Sequence, residues 1–132
     1  MRLEKEINIK ELDGLRIGHA QDDAAKTGVT VMIFDTGATM GVDVSGGGPA
    51  SREAHLAHPL TADTPVNALV LSGGSAYGLA ASDGVMRYLE EHQIGFDTGY
   101  ARVPLVCQAC IYDLGFGNAN VRPMLPWDML PV

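Results

Sequence analysis

The chain has 132 residues, of which 46% are hydrophobic and 19% charged, with 16 glycines, two cysteines and a formal charge of −7 from 9 Lys+Arg against 16 Asp+Glu. That composition suits one globular domain with many tight turns, and its apolar content excludes intrinsic disorder. The acidic balance excludes a nucleic-acid or anionic-membrane surface, no stretch approaches the roughly 18 apolar residues of a membrane span, and Met1-Arg2-Leu3-Glu4-Lys5-Glu6 lacks a signal-peptide core, so a cytoplasmic protein is expected.

Residues 1–13 are charged, with Ile7, Ile9 and Leu12 as the apolar positions of a short strand or arm that leads into Gly14-Leu15-Arg16-Ile17-Gly18-His19. Gln21 to Lys26 reads as a polar loop. Val29-Thr30-Val31-Met32-Ile33-Phe34 is β-branched and almost continuously apolar, which predicts a strand buried on both faces and stopped by Asp35-Thr36-Gly37. In Met40-Gly41-Val42-Asp43-Val44 the apolar residues alternate, so a second strand is expected there, forming a hairpin with the first. Gly46-Gly47-Gly48-Pro49 forces a loop, and Glu53 to Pro65 has little periodicity.

Val66-Asn67-Ala68-Leu69-Val70-Leu71 is a strand pattern that passes through Ser72-Gly73-Gly74 into helical spacing from Ser75 to about Glu91. Tyr77, Ala80, Ala81, Gly84, Val85, Tyr88 and Leu89 form its apolar stripe, and Gly95 ends the unit. Val103 to Tyr112 is apolar enough to contain another strand. Asn118 to Val132, with Pro123, Pro126 and Pro131, is expected to be an irregular or disordered end.

Gly73-Gly74-Ser75 lies where a strand hands over to a helix, so its N–H groups can receive a carboxylate, a phosphate or an oxyanion. The segment is neither a P-loop nor a dinucleotide fingerprint, and it misses the Gly-x-Ser-x-Gly nucleophile elbow by one residue. Two explanations stay open: an anion site, or a purely structural turn in which the glycines bend the chain and Ser75 caps the helix. Cys107-Gln108-Ala109-Cys110 has the spacing of a dithiol or of half a zinc site, but in so apolar a run packing is the first explanation. Glu53, His55 and His58 have no periodicity to align them as ligands, so no metal site is expected, and His19 and His92 carry no signal.

Several blocks, in order, resemble the DmpA-type peptidases, the P1 family of L-aminopeptidase/D-esterases, β-peptidyl aminopeptidases and nylon-oligomer hydrolases. The blocks are Gly14 to His19, Thr27 to Val31, Val42-Asp43-Val44-Ser45-Gly46-Gly47-Gly48-Pro49-Ala50-Ser51-Arg52-Glu53, and Leu71-Ser72-Gly73-Gly74-Ser75-Ala76-Tyr77-Gly78-Leu79 with Asp83-Gly84-Val85. Arg102 to Val106 and Ile111-Tyr112-Asp113-Leu114-Gly115 complete them, so the resemblance covers about residues 5 to 123.

The resemblance implies an α/β fold, part of an α/β/β/α sandwich that is incomplete in this chain, with residues 1–117 as the N-terminal portion of the hydrolase domain and 118–132 as an irregular, aberrant tail. It implies an N-terminal Ser or Thr, freed by self-cleavage, as nucleophile, with its own α-amine as base; a terminal amine titrates near 7.7–8.0 and suits that task. Tyr112 then matches the tyrosine beside the nucleophile, and Gly73, Gly74 and Ser75 are the candidate substrate or oxyanion contacts. No cofactor is implied. The nucleophile segment resembles nothing in this sequence, so the expected partners are that missing segment or subunit and a peptide or amide substrate, with the intact enzyme an oligomer. Alone the chain is expected to be inactive, and to be unstable or self-associating through apolar faces left uncovered. The alternatives are a non-catalytic module that binds small anions at Gly73-Gly74-Ser75, and thiol redox chemistry at Cys107 and Cys110.

Overall fold

A computed structural model describes residues 8–61 and 64–124. In chain order the strands are β1 (Leu15–Asp22), β2 (Thr27–Ala38), β3 (Ala50–Arg52), β4 (Val66–Ser72), β5 (Phe96–Asp97), β6 (Arg102–Val103) and β7 (Val106–Cys110), with one α-helix among the described residues, α1 (Ala81–Glu91). Five strands make one sheet in the order β1-β2-β4-β7-β3, while β5 and β6 pair as a separate ribbon. The β4–β7 pairing is parallel and the other pairings are antiparallel. Thus β4, α1 and β7 form a β-α-β unit, inserted into an otherwise antiparallel sheet.

Strand alternation sets what each face does. Val29, Val31 and Ile33 of β2 are buried, and they pair across to Ser72, Val70 and Ala68 of β4, which are buried as well. With Val106 of β7 they form the core against Ala81, Val85, Tyr88 and Leu89 of α1. Each fully buried Val, Ile or Leu contributes on the order of 1.5–3 kcal/mol over its exposed state. The intervening Thr30, Met32 and Phe34 are only half-buried, so the expectation of a strand buried on both faces is corrected: the helix covers one face and the other stays partly open. Leu15, Ile17 and Leu69 are also half-buried, and by register they lie on that open face. The fold is therefore mixed α/β, one sheet with one helix packed on it.

The expected hairpin does not form. Residues 40–44 hold no strand and are almost wholly exposed, because both edges of β2 are already taken, by β1 and by β4. The helical segment divides into a 3-10 turn over Ser75–Ala80 followed by α1. At three residues per turn the first part falls out of phase with an α-helical stripe, which explains why Tyr77 and Ala80 are exposed although they share the stripe's spacing with Val85 and Leu89. The strand expected between Val103 and Tyr112 is β7.

Residues 9–11 form a short 3-10 turn in place of a strand or arm, while residues 1–7 of that segment lie outside the described residues. The segment 118–124 holds no helix or strand, yet Pro123 within it is buried; the rest of the expected irregular end, 125–132, lies outside the described residues. Among the described residues no helix is long and apolar enough to cross a membrane.

Candidate functional site

The glycine turn begins where β4 ends. Gly74 takes φ +85° and Ser75 φ +55°, so the chain reverses through two successive left-handed residues and enters the 3-10 turn without a side-chain cap from Ser75. Each of the three N–H groups in the turn has an acceptor within the chain. Gly73 N–H donates to Gly28 O at 3.0 Å, Gly74 N–H to Asp113 Oδ1 at 2.7 Å and Ser75 N–H to Ile111 O at 3.0 Å. An outside carboxylate or oxyanion would have to displace one of these partners to use the turn.

Asp113 is the site residue that motif reasoning missed. Its other oxygen, Oδ2, accepts from the Thr27 hydroxyl at 2.7 Å, so one carboxylate ties the first residue of β2 to the turn after β4. Burial works to raise its pKa, but the Gly74 N–H, the Thr27 hydroxyl, its own backbone N–H and the charge of Arg122 outweigh burial and hold the carboxyl below the ordinary aspartate range. A Cβ on Gly73 would collide with Oδ2 of Asp113 and with the Thr27 hydroxyl, so the carboxylate itself requires glycine there. Arg122 stacks over the Tyr77 ring at 4.3 Å from its centroid, and Pro123 packs against Gly74, which brings the segment after Asn118 onto the same turn.

Tyr112 lies between two anchored neighbours. Ile111 N–H donates to Ser72 O at 2.8 Å and Ile111 O accepts from Ser75, while Asp113 is held as above. The tyrosine itself is 77% exposed and lines an open groove of about 810 Å³, with Thr30, Leu71, Cys110, Ile111 and Phe116 among its walls. The groove lies at the carboxyl ends of β4 and β7, the end of an open α/β sheet where ligands commonly bind.

Gln108 fixes the floor beneath the turn. Its Nε2 donates to Ser72 Oγ at 2.9 Å and to Gly78 O at 2.7 Å, and its Oε1 accepts from Ser82 Oγ, so one buried amide links β7, β4, the 3-10 turn and α1. A polar residue within an apolar run was the available signal, and only the three-dimensional partners give it meaning.

The two cysteines are set apart by strand parity. Cys107 pairs with Leu69 on the open face of the sheet, whereas Cys110 pairs with Ser72 on the helix face. Cys107 is buried, with its thiol 3.7 Å from Glu53 O, and burial followed by the charge of Glu53 pushes its pKa up to about 11. Cys110 Sγ lies 3.2 Å from Ser72 Oγ. Thiols on opposite faces of one strand cannot bond to each other or share a metal without unpairing that strand. Mild oxidation should therefore leave the mass of the folded chain without an intramolecular disulfide, and Cys107 should resist alkylation at pH 8 until the chain is unfolded; a disulfide on tryptic mapping would contradict this geometry. Among the described residues no group of three or more His, Cys, Asp and Glu side chains is placed to hold a metal ion, and Glu53, His55 and His58 follow one another around a short 3-10 turn.

A family model described as Peptidase family S58 matches residues 8–125. The chain is 45% identical over 124 residues to an uncharacterized aminopeptidase of Mycobacterium tuberculosis, covering 88% of this chain and 36% of that protein. It is 42% identical over 131 residues to an uncharacterized aminopeptidase of Mycobacterium leprae, covering 93% of this chain and 36% of that protein. A 6-aminohexanoate-oligomer endohydrolase of Agromyces is 35% identical over 113 residues, covering 86% of this chain and 29% of that protein. The chain thus spans about a third of the length of these relatives.

Proposed function

Since the chain belongs to peptidase family S58, we propose that it supplies one part of an N-terminal-nucleophile aminopeptidase or amidase, acting on peptide, amide or ester bonds, and that the nucleophile is carried outside these 132 residues. Tyr112 is the residue through which this part enters the chemistry. The observation that carries this is its presentation: an exposed phenol at a groove, on backbone anchored at both neighbours.

In the complete site, the hydroxyl of an N-terminal Ser or Thr attacks the carbonyl carbon while its proton passes to the α-amine. The Tyr112 phenol donates a hydrogen bond to the nucleophile or to the oxygen on which charge develops, which stabilises the tetrahedral state relative to the ground state. Collapse expels the amine or alcohol with the transferred proton, and water then hydrolyses the acyl-enzyme to release the acid. No step needs a cofactor.

The open face carrying Leu15, Ile17, Met32, Phe34 and Leu69 is the face on which a second sheet would pack to complete an α/β/β/α sandwich, and the complete enzyme would assemble further into an oligomer. The proposed compartment is the cytoplasm, in keeping with two free cysteines held on opposite faces of β7. A non-catalytic anion-binding module is not favoured, because each N–H of the glycine turn is committed within the chain.

Complementation tests the proposal. Mixing this chain with the part of the Mycobacterium tuberculosis relative that lies beyond the matched residues, expressed with a free N-terminal Ser or Thr, should restore hydrolysis of amino-acid p-nitroanilides. Restored activity that is indifferent to the presence of this chain, or a stable complex with no activity on peptide, amide or ester probes, would overturn it.

A further inference from the structure

We propose that Asp113 is the standing occupant of the anion site formed by the glycine turn, and that through this occupancy it positions Tyr112; the second half rests on the role given to Tyr112 above. The carboxylate has a built seat at the turn: the N–H of left-handed Gly74 and the Thr27 hydroxyl both donate to it, Gly73 has no side chain at the point of closest approach, and the guanidinium of Arg122 lies nearby. The chain fills that seat from within. Asp113 follows Tyr112 directly, so the bonds from Gly74 and Thr27 fix the backbone on one side of the tyrosine, as the Ser72 and Ser75 bonds to Ile111 fix it on the other.

Two consequences follow from the chemistry. The turn is closed to a substrate carboxylate or oxyanion, so the exposed phenol of Tyr112, and not the turn, offers the hydrogen bond to the reacting group. Asp113 also makes the arrangement sensitive to acid. The groups that face its carboxylate are the Thr27 hydroxyl from β2, the Gly74 N–H from the turn, and Arg122 from the segment after Asn118, and of these only Arg122 is charged. A carboxyl whose folded pKa is depressed contributes stability above its unfolded pKa, and that contribution is lost as pH falls through the lower, folded value.

The test is made first by amide NMR on the complemented complex, with only this chain isotope-labelled. The Gly74 amide proton should lie downfield and move upfield with a midpoint below the ordinary aspartate range, and the movement should be absent in Asp113→Asn. In Asp113→Gly, formate should bind saturably and return the Gly74 resonance downfield, whereas formamide should not. A Gly74 resonance indifferent to pH in the parent chain overturns the occupancy. If Asp113→Gly does not fold, the comparison of the parent with Asp113→Asn decides it alone.

Positioning is read in the complemented enzyme. Asp113→Asn should lower kcat about tenfold to a hundredfold with little change in KM, and should cost little more when Tyr112→Phe is already present, because both changes remove the same interaction. Additive losses would overturn positioning. A Tyr112→Phe enzyme with full activity would instead overturn the role of Tyr112, and with it the positioning, while the Gly74 titration would still decide the occupancy.

Discussion

Gly73→Val is expected to destabilise the chain by about 3–5 kcal/mol, enough to unfold a marginal domain, read as a large fall in the urea midpoint. The position does not require a left-handed backbone; what it lacks is space. A Cβ there meets Oδ2 and Cγ of Asp113 and the hydroxyl of Thr27, all on short side chains that are bonded to each other and to Gly74. Relief requires the carboxylate to leave, which forfeits two charge-assisted hydrogen bonds, each worth about 1.5–3 kcal/mol, and leaves Gly74 N–H without its acceptor. Gly115→Val is the control, since a Cβ on Gly115 meets nothing within 4 Å. Equal midpoints for the two variants would show that the turn yields easily, and would remove the steric account of Gly73.

Tyr112→Phe should do the reverse. Its side chain is 77% exposed, so removing the hydroxyl should shift stability by less than about 0.5 kcal/mol. In the complemented enzyme, kcat should fall about 10²–10³-fold, the loss usual when one donor to a developing oxyanion is removed, with KM little changed. Stopped-flow separation of acylation from deacylation would locate the loss. A kcat within threefold of the parent would mean that the phenol makes no bond special to the transition state. The two variants separate fold from chemistry: one residue whose loss collapses the turn after β4, and another, on the segment after β7 that bonds to that turn, whose loss leaves it intact.

Much of the fold was legible because it follows from period and punctuation. β4, the glycine turn and β7 announce themselves by apolar runs broken at Gly73-Gly74 and Pro104. β1 was not legible, because it contains no fully buried residue and carries Arg16, Gly18 and His19 among its apolar positions. β3 is three residues long, and nothing local distinguishes it from the loop before it. The alternation of Met40 to Val44 pointed to a strand, but a strand needs a free edge, and the order of the sheet denies it one on β2.

The site divides in the same way. Tyr112 was found by resemblance to a family, and the glycine turn by its place between strand and helix. Asp113 and Gln108 were not found, since an aspartate beside a tyrosine and a glutamine between cysteines carry no message until Thr27, Gly74, Ser72 and Ser82 are brought to them from elsewhere in the chain. Long-range hydrogen bonds between side chains leave no periodic trace.

The strand order also dictates a sequence of events. β7 is the last of the sheet's strands along the described chain, yet it sits inside the sheet, between β4 and β3. During ribosomal synthesis β1, β2 and β4 can zip together as they emerge, whereas Ala50–Arg52 must wait unpaired until Gln108 to Cys110 arrives. Contacts this distant along the chain slow folding, because the intervening loop must close before they stabilise anything. Until then one edge of β4 is bare and open to a wrong neighbour, so crowded nascent chains face an aggregation risk concentrated at that edge. The groove beside Tyr112 depends on β7 for one wall, and it is completed only when this late strand slots into place.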